Sequence, residues 1–73
     1  MKHTLDAKNL LCPLPVIRLQ EKISQAKKGD IIKVIATDMG VKYDIPAWCK
    51  VHNHKIIKIS TNDNKIFITV KKV

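Results

Sequence analysis

The chain has 73 residues, two of them cysteines, and carries 14 Lys and Arg against 6 Asp and Glu, a formal charge of +8. That length sits near the lower limit for a self-sufficient core, so one domain over residues 1–73 is expected. It excludes a membrane span, since no segment reaches about 20 apolar residues. No long apolar stretch precedes Asp6, so no signal peptide is read and a cytoplasmic location is the default expectation. Two cysteines do not make the disulfide framework of a small secreted domain. The charge admits nucleic acid, acidic proteins or anionic substrates as partners. The lysines are scattered, however, with Lys27-Lys28 and Lys71-Lys72 the only doublets, and Trp48, Tyr43 and Phe67 are the sole aromatics. Direct nucleic-acid binding is therefore not expected.

In chain order, His3-Thr4-Leu5-Asp6 reads as a short strand, followed by a turn at Lys8-Asn9. A helix is predicted from Pro13 to about Lys28, because Val16, Leu19, Ile23 and Ala26 recur at helical spacing. Its last-turn lysines suit the helix dipole, and Gly29 offers a left-handed stop. Ile31 to Thr37 is an almost continuous apolar, β-branched run, as expected of a covered central strand.

After a turn or cap at Asp38-Met39-Gly40, a second helical stripe runs through Val41, Ile45, Trp48, Cys49 and His52. Pro46 fits if the regular helix starts near Tyr43 or Asp44, and otherwise implies a kink. Asn53 then closes the helix at positive φ. Lys55–Ser60 and Lys65–Lys72 are predicted strands joined by the turn-rich Thr61-Asn62-Asp63-Asn64. In the last of them, Ile66, Ile68 and Val70 alternate with Lys65, Phe67, Thr69 and Lys71, so one face is buried.

The order β-α-β-α-β-β, with right-handed crossovers, makes the first three strands parallel and sets both helices on one face of the sheet. The last strand must run antiparallel to the third. The expected fold is therefore α+β, a two-layer α/β sandwich with a four-stranded mixed sheet whose other face is open and rich in Lys and Thr.

Cys12 is the residue with the clearest chemistry. Proline suits the first helical position and pushes the residue before it into extended backbone, so Cys12-Pro13-Leu14-Pro15 reads as a cysteine at a helix start. There the dipole and free amides favour an anion, and a cysteine so placed is expected to ionise more easily than a free one. Pro13 and Pro15 remove two first-turn donors and stiffen the turn, leaving the Leu14 and Val16 amides to face the sulfur. No general base is evident nearby, since His3 is on the first strand and His52 and His54 follow the second helix. Thiol–disulfide or sulfur-exchange chemistry needs only an exposed thiolate.

Cys49 lies on the same stripe as Val41 and Ile45 and is read as a core cysteine. Cys49, His52 and His54 straddle a helix end and make too few ligands for a metal site. Asp6 either bonds loop amides or is a polar strand end, and the residues leave both open.

Taken together, Leu5-Asp6-Ala7, Cys12-Pro13-Leu14-Pro15, Gly29-Asp30 and Asp44-Ile45-Pro46-Ala47-Trp48-Cys49 resemble the small TusA-like (SirA-like) sulfur carrier proteins over nearly the whole chain. The resemblance implies the same two-layer fold. It further implies that Cys12 accepts sulfane sulfur as a persulfide from a cysteine desulfurase or other donor protein and relays it to an acceptor protein, for tRNA 2-thiolation or another sulfur-transfer pathway. It implies no metal and no organic cofactor. Asn9 and Asn53 stand where the family usually has Gly, a change that positive φ tolerates. Leu14 stands where the tRNA-thiolation members resemble Cys-Pro-Glu-Pro, which alters what docks beside the sulfur. Two other readings are a basic RNA- or regulator-binding module and, ranked last, a Cys12–Cys49 redox switch.

Overall fold

A computed structural model describes residues 2–73; of the domain expected over 1–73, Met1 lies outside the described residues. The elements in chain order are β1 (Lys2–Ala7), α1 (Leu14–Gln25), β2 (Ile31–Ala36), α2 (Val41–Val51), β3 (Lys55–Asn62) and β4 (Lys65–Lys71). The strands form one sheet in the order β1-β2-β4-β3. β1 and β2 are parallel, with Leu5 opposite Val34, and β4 is antiparallel to both β2 and β3. The mixed sheet and the strand directions are those expected.

What alternation does not reveal is that β4 lies between β2 and β3. Its Ile66, Ile68 and Val70 are completely buried, while β3 keeps Ile57 and Ile59 nearly half exposed. The strand with the cleaner apolar face takes the interior place. β3 takes the edge, with a bulge between Ile56 and Lys58 that blunts it.

Ile32, Val34 and Ala36 of β2 and the three buried β4 residues share one sheet face. They pack against Leu19 and Ile23 of α1 and Val41, Ile45 and Cys49 of α2 in a single core. Both helices therefore lie on that face. The other face is open and carries Lys2, Thr4, Lys33, Lys58 and Thr69 around a shallow cavity of about 410 Å³.

Helix boundaries depart from expectation at two places. α1 ends at Gln25 rather than near Lys28, because Ala26 is extended (ψ 165°). The Lys72 ammonium comes from the far end of the chain to donate to the carbonyls of Ile23 (2.6 Å) and Ala26 (2.8 Å). Gly29 does take a left-handed φ of 88°, but in the following turn, where its N–H donates to the Lys72 carbonyl.

α2 begins at Val41, earlier than Tyr43 or Asp44, and so runs through Pro46. Asp38 starts it early: its Oδ1 accepts from the Gly40 N–H and its carbonyl from the Val41 N–H. Pro46 leaves the Lys42 carbonyl without its i+4 donor. The helix ends as expected at Asn53 (φ 62°), with the His54 N–H bonded to the Cys49 carbonyl and the Asn53 N–H to that of Lys50. That is a Schellman closure. The hairpin turn is shorter than the run Thr61–Asn64 suggests: Asp63 and Asn64, both at positive φ, form a two-residue turn of type I′.

Candidate functional site

Parallel pairing sets the ends of β1 and β2 side by side, Ala7 opposite Ala36. The loops that follow, carrying Cys12 and Asp38, therefore meet at one edge of the sheet, the usual place for a site in a parallel arrangement. Asn9, at φ 65°, turns the first loop and donates its N–H to Thr37 Oγ1 at 2.9 Å. The Cys12 N–H donates to Asp38 Oδ2 at 2.8 Å, while Asp38 Oδ1 holds the Gly40 amide. One carboxylate thus ties the cysteine loop to the start of α2. The first turn of α2 supplies Asp44, and the exposed Cys12 thiol donates to its Oδ2 at 2.9 Å.

This arrangement overturns the expected electrostatics of the thiol. The hydrogen bond to Asp44 is the largest influence, followed by desolvation and by the charges of Asp44 and Asp38, and together they raise the Cys12 thiol above its ordinary value. A thiol donating to a carboxylate gives up that bond, and gains a repulsion, when it ionises. The helix-start argument fails on a second count. Pro13, not Cys12, occupies the cap position, and α1 opens at Leu14. The Leu14 amide donates to the Leu11 carbonyl at 2.8 Å and does not face the sulfur. The two carboxylates hold Cys12 as a neutral thiol beside a proton acceptor. Asp38 itself is pushed below its usual range by the N–H bonds from Gly40 and Cys12.

The other expected support residues divide by burial. Pro15 is fully buried and Val16 is half-buried against the core, so they anchor the loop; Leu14 is 41% exposed. Leu11, Met39 and Tyr43 are exposed as well. Each adjoins a residue of the Cys12–Asp38–Asp44 constellation in the chain.

Cys49 is 1% exposed, and burial pushes its thiol up to about 11, which keeps it protonated. It packs as the core residue that its stripe predicted. His52, expected on that stripe, is exposed instead. Its ring and that of His54 lie 4.6 and 5.5 Å from the Trp48 ring, away from the Cys12 loop. Asp6 resolves as a loop-amide acceptor, bonding the Lys8 N–H at 3.0 Å.

Sequence reasoning missed Asp38 and Asp44 as members of the site. Asp44 stood in a motif already singled out and Asp38 in a turn already marked. Only the parallel pairing of β1 with β2 brings both carboxylates to the sulfur.

The description "Sulfurtransferase TusA" matches residues 3–72. The chain belongs to the sulfurtransferase TusA family. It is 34% identical to the sulfur carrier protein TusA of Pseudomonas syringae pv. syringae, over 93% of this chain and 81% of that protein. It is 38% identical to an Aquifex aeolicus protein over 96% of its own length, but spans only 36% of that relative. A crystal structure of a SirA-like protein from Desulfitobacterium hafniense superposes with a TM-score of 0.83 at 18% identity, covering 94% of this chain and 95% of that one. That likeness is one of fold and agrees with the two-helix, four-stranded arrangement. Membership of the TusA family gives the chain the role of a sulfur carrier.

Proposed function

We propose that Cys12 is the carrier atom. It takes sulfane sulfur as a persulfide from a donor protein, such as a cysteine desulfurase, and yields it to a thiol of an acceptor protein. One observation carries this reading: an exposed thiol donates a hydrogen bond to Asp44 Oδ2 at 2.9 Å.

The chemistry is balanced without a metal or organic cofactor. Asp44 takes the Cys12 proton, and the resulting thiolate attacks the terminal sulfur of the donor persulfide. The donor's S–S bond breaks, a new S–S bond forms on Cys12, and the departing donor thiolate receives the proton. Transfer onward repeats the exchange, with the acceptor thiolate attacking and Cys12 leaving. In this step Asp44 takes the proton of the acceptor thiol as it attacks, the Cys12 S–S bond breaks, and that proton passes to the departing Cys12 thiolate, restoring the resting pair. A resting thiol kept protonated is also protected from stray oxidation, which follows thiolate character.

The exposed apolar residues Leu11, Leu14, Met39 and Tyr43 suit docking by partner proteins, since interface cores are depleted of charge. The proposed setting is the reducing cytoplasm; no described helix is long and apolar enough to cross a membrane. The sulfur is destined for tRNA 2-thiolation or another sulfur-transfer pathway, with Leu14 beside the sulfur selecting the acceptor.

Intact-protein mass spectrometry tests the reading. After incubation with a cysteine desulfurase and cysteine, the chain should gain the mass of one sulfur. Cys12→Ser should abolish the gain and Cys49→Ser should not. Loading that depends on Cys49 alone would sink the proposal.

A further inference from the structure

The lysines that look scattered in the sequence are gathered by the sheet. Strand alternation, with the β3 bulge between Ile56 and Lys58 bringing Lys55 and Lys58 to one side, sends Lys2, Lys33, Lys55, Lys58, Lys65 and Lys71 to the open face, and all six are exposed. The register makes two rows. Thr4, Lys33, Thr69 and Lys58 lie across the four strands in one; Lys2, Ile31, Lys71 and Lys55 lie in the next. Of the acidic residues, Asp6 alternates onto this face, at its rim, and its carboxylate is engaged by the Lys8 amide and ammonium. The shallow cavity is centred on the first row and adds Ser60 and Asn62 to its lysines and threonines.

We propose that this face binds single-stranded nucleic acid through its phosphodiester backbone, without reading bases. The side chains present are those that contact phosphate and sugar oxygens: Lys, Thr, Ser and Asn. A protein partner fits less well, because interface cores favour aromatics and Arg and are depleted in Lys. Base stacking is not provided for. The central aromatic, Phe67, already has the Lys33 ammonium 5.2 Å from its ring centroid. A single strand can settle into the cavity along the Thr4, Lys33, Thr69 and Lys58 row, whereas a duplex would ride over it. The face lies apart from Cys12, which sits at the edge where β1 and β2 end, so the two surfaces can be engaged together.

Fluorescence anisotropy with a labelled single-stranded RNA of about 12 nucleotides, a length suited to one small domain, tests the proposal on the whole chain. Binding at about 50 mM KCl should fall in the range of about 1–100 µM, with a log–log salt slope of about −2 to −3, as three or four neutralised phosphates give on a single strand. Lys33→Gln/Lys58→Gln/Lys71→Gln should weaken binding about tenfold or more and flatten the slope by about 2. The control Lys22→Gln/Lys42→Gln/Lys50→Gln removes the same charge from the helices and should stay within about twofold of wild type if the face, not net charge, is responsible. Circular dichroism confirms that both variants fold, and Cys12→Ser should bind like wild type. The proposal is overturned by equal losses in the two triple variants, by no binding at low salt, by tighter binding of duplex, or by polyglutamate competing as well as RNA.

Discussion

The Cys12 sulfur lies 2.9 Å from Oδ2 of Asp44, although the two residues belong to the loop after β1 and to the first turn of α2. The bond exists only while the thiol keeps its proton. Asp44 therefore raises the thiol first by hydrogen bonding and again by its charge, with Asp38 adding to the latter. Iodoacetamide alkylation of Cys12 should accordingly show a pH midpoint above the ordinary cysteine value of about 8.5. Asp44→Asn removes the charge and should move the midpoint down, speeding alkylation at pH 7 several-fold. The same variant should load sulfur more slowly from a donor, having lost its proton acceptor. An unchanged alkylation profile would show that the carboxylate does not govern the thiol.

That pair also marks the boundary of what the sequence discloses. Element types were legible because apolar spacing switches cleanly between helical and alternating, as in Leu19 and Ile23 against Ile66, Ile68 and Val70. The positive-φ roles of Asn53 and Gly29 were legible because few residues accept that conformation. Strand order was not, because alternation tells which face of β4 is buried but not which strands flank it. The acidity of Cys12 was read with the wrong sign for a related reason. A dipole argument sees only the helix that follows in the chain, whereas two carboxylates from other elements sit at hydrogen-bond distance. An open face rich in Lys and Thr was legible from the alternation, but its rows were not, since Lys33, Thr69 and Lys58 become neighbours only through register.

The exposed apolar residues next to the site in the chain give a prediction that separates docking from chemistry. Leu11 is 72% exposed and Tyr43 is 78% exposed, so neither holds the core together. Leu11→Ser/Tyr43→Ser should raise the KM for sulfur loading from a donor protein by about tenfold, the effect of losing one good apolar anchor at an interface. Melting temperature and the alkylation rate of Cys12 should not change. A loss confined to kcat, with KM intact, would place these residues outside the docking surface.

Lys72 performs a capping function from an unusual distance. Its ammonium donates to the Ala26 carbonyl and, beside the Ala26 N–H, to that of Ile23, at the end of α1 where acceptors lack helical partners. Lys72→Met keeps the length and apolar stem but removes the donor. The expected cost is about 1–2 kcal/mol, and each kcal/mol lowers the melting temperature of a domain this size by about 4–8 °C. A thermal melt reads the change. Retention of the wild-type melting temperature would mean that water satisfies these carbonyls equally well.

Asp30 makes stability depend on pH, with a definite sign. It is 7% exposed, accepts the Lys27 N–H at 3.0 Å and lies 3.0 Å from His3 Nε2. The Lys27 amide first, and then the His3 ring, hold its carboxyl well below the usual carboxylate range. A group depressed in the folded state contributes stability that is fully present above its unfolded value, about pH 4, and lost as pH falls toward the folded one. The melting temperature should therefore be flat with respect to this group from pH 7 to about pH 5 and fall as pH drops below about 4. Asp30→Asn should melt several degrees lower at pH 7, and the gap should narrow at about pH 3, where the wild type loses part of the same contribution. Parallel curves for the two proteins over that range would show that Asp30 is not responsible.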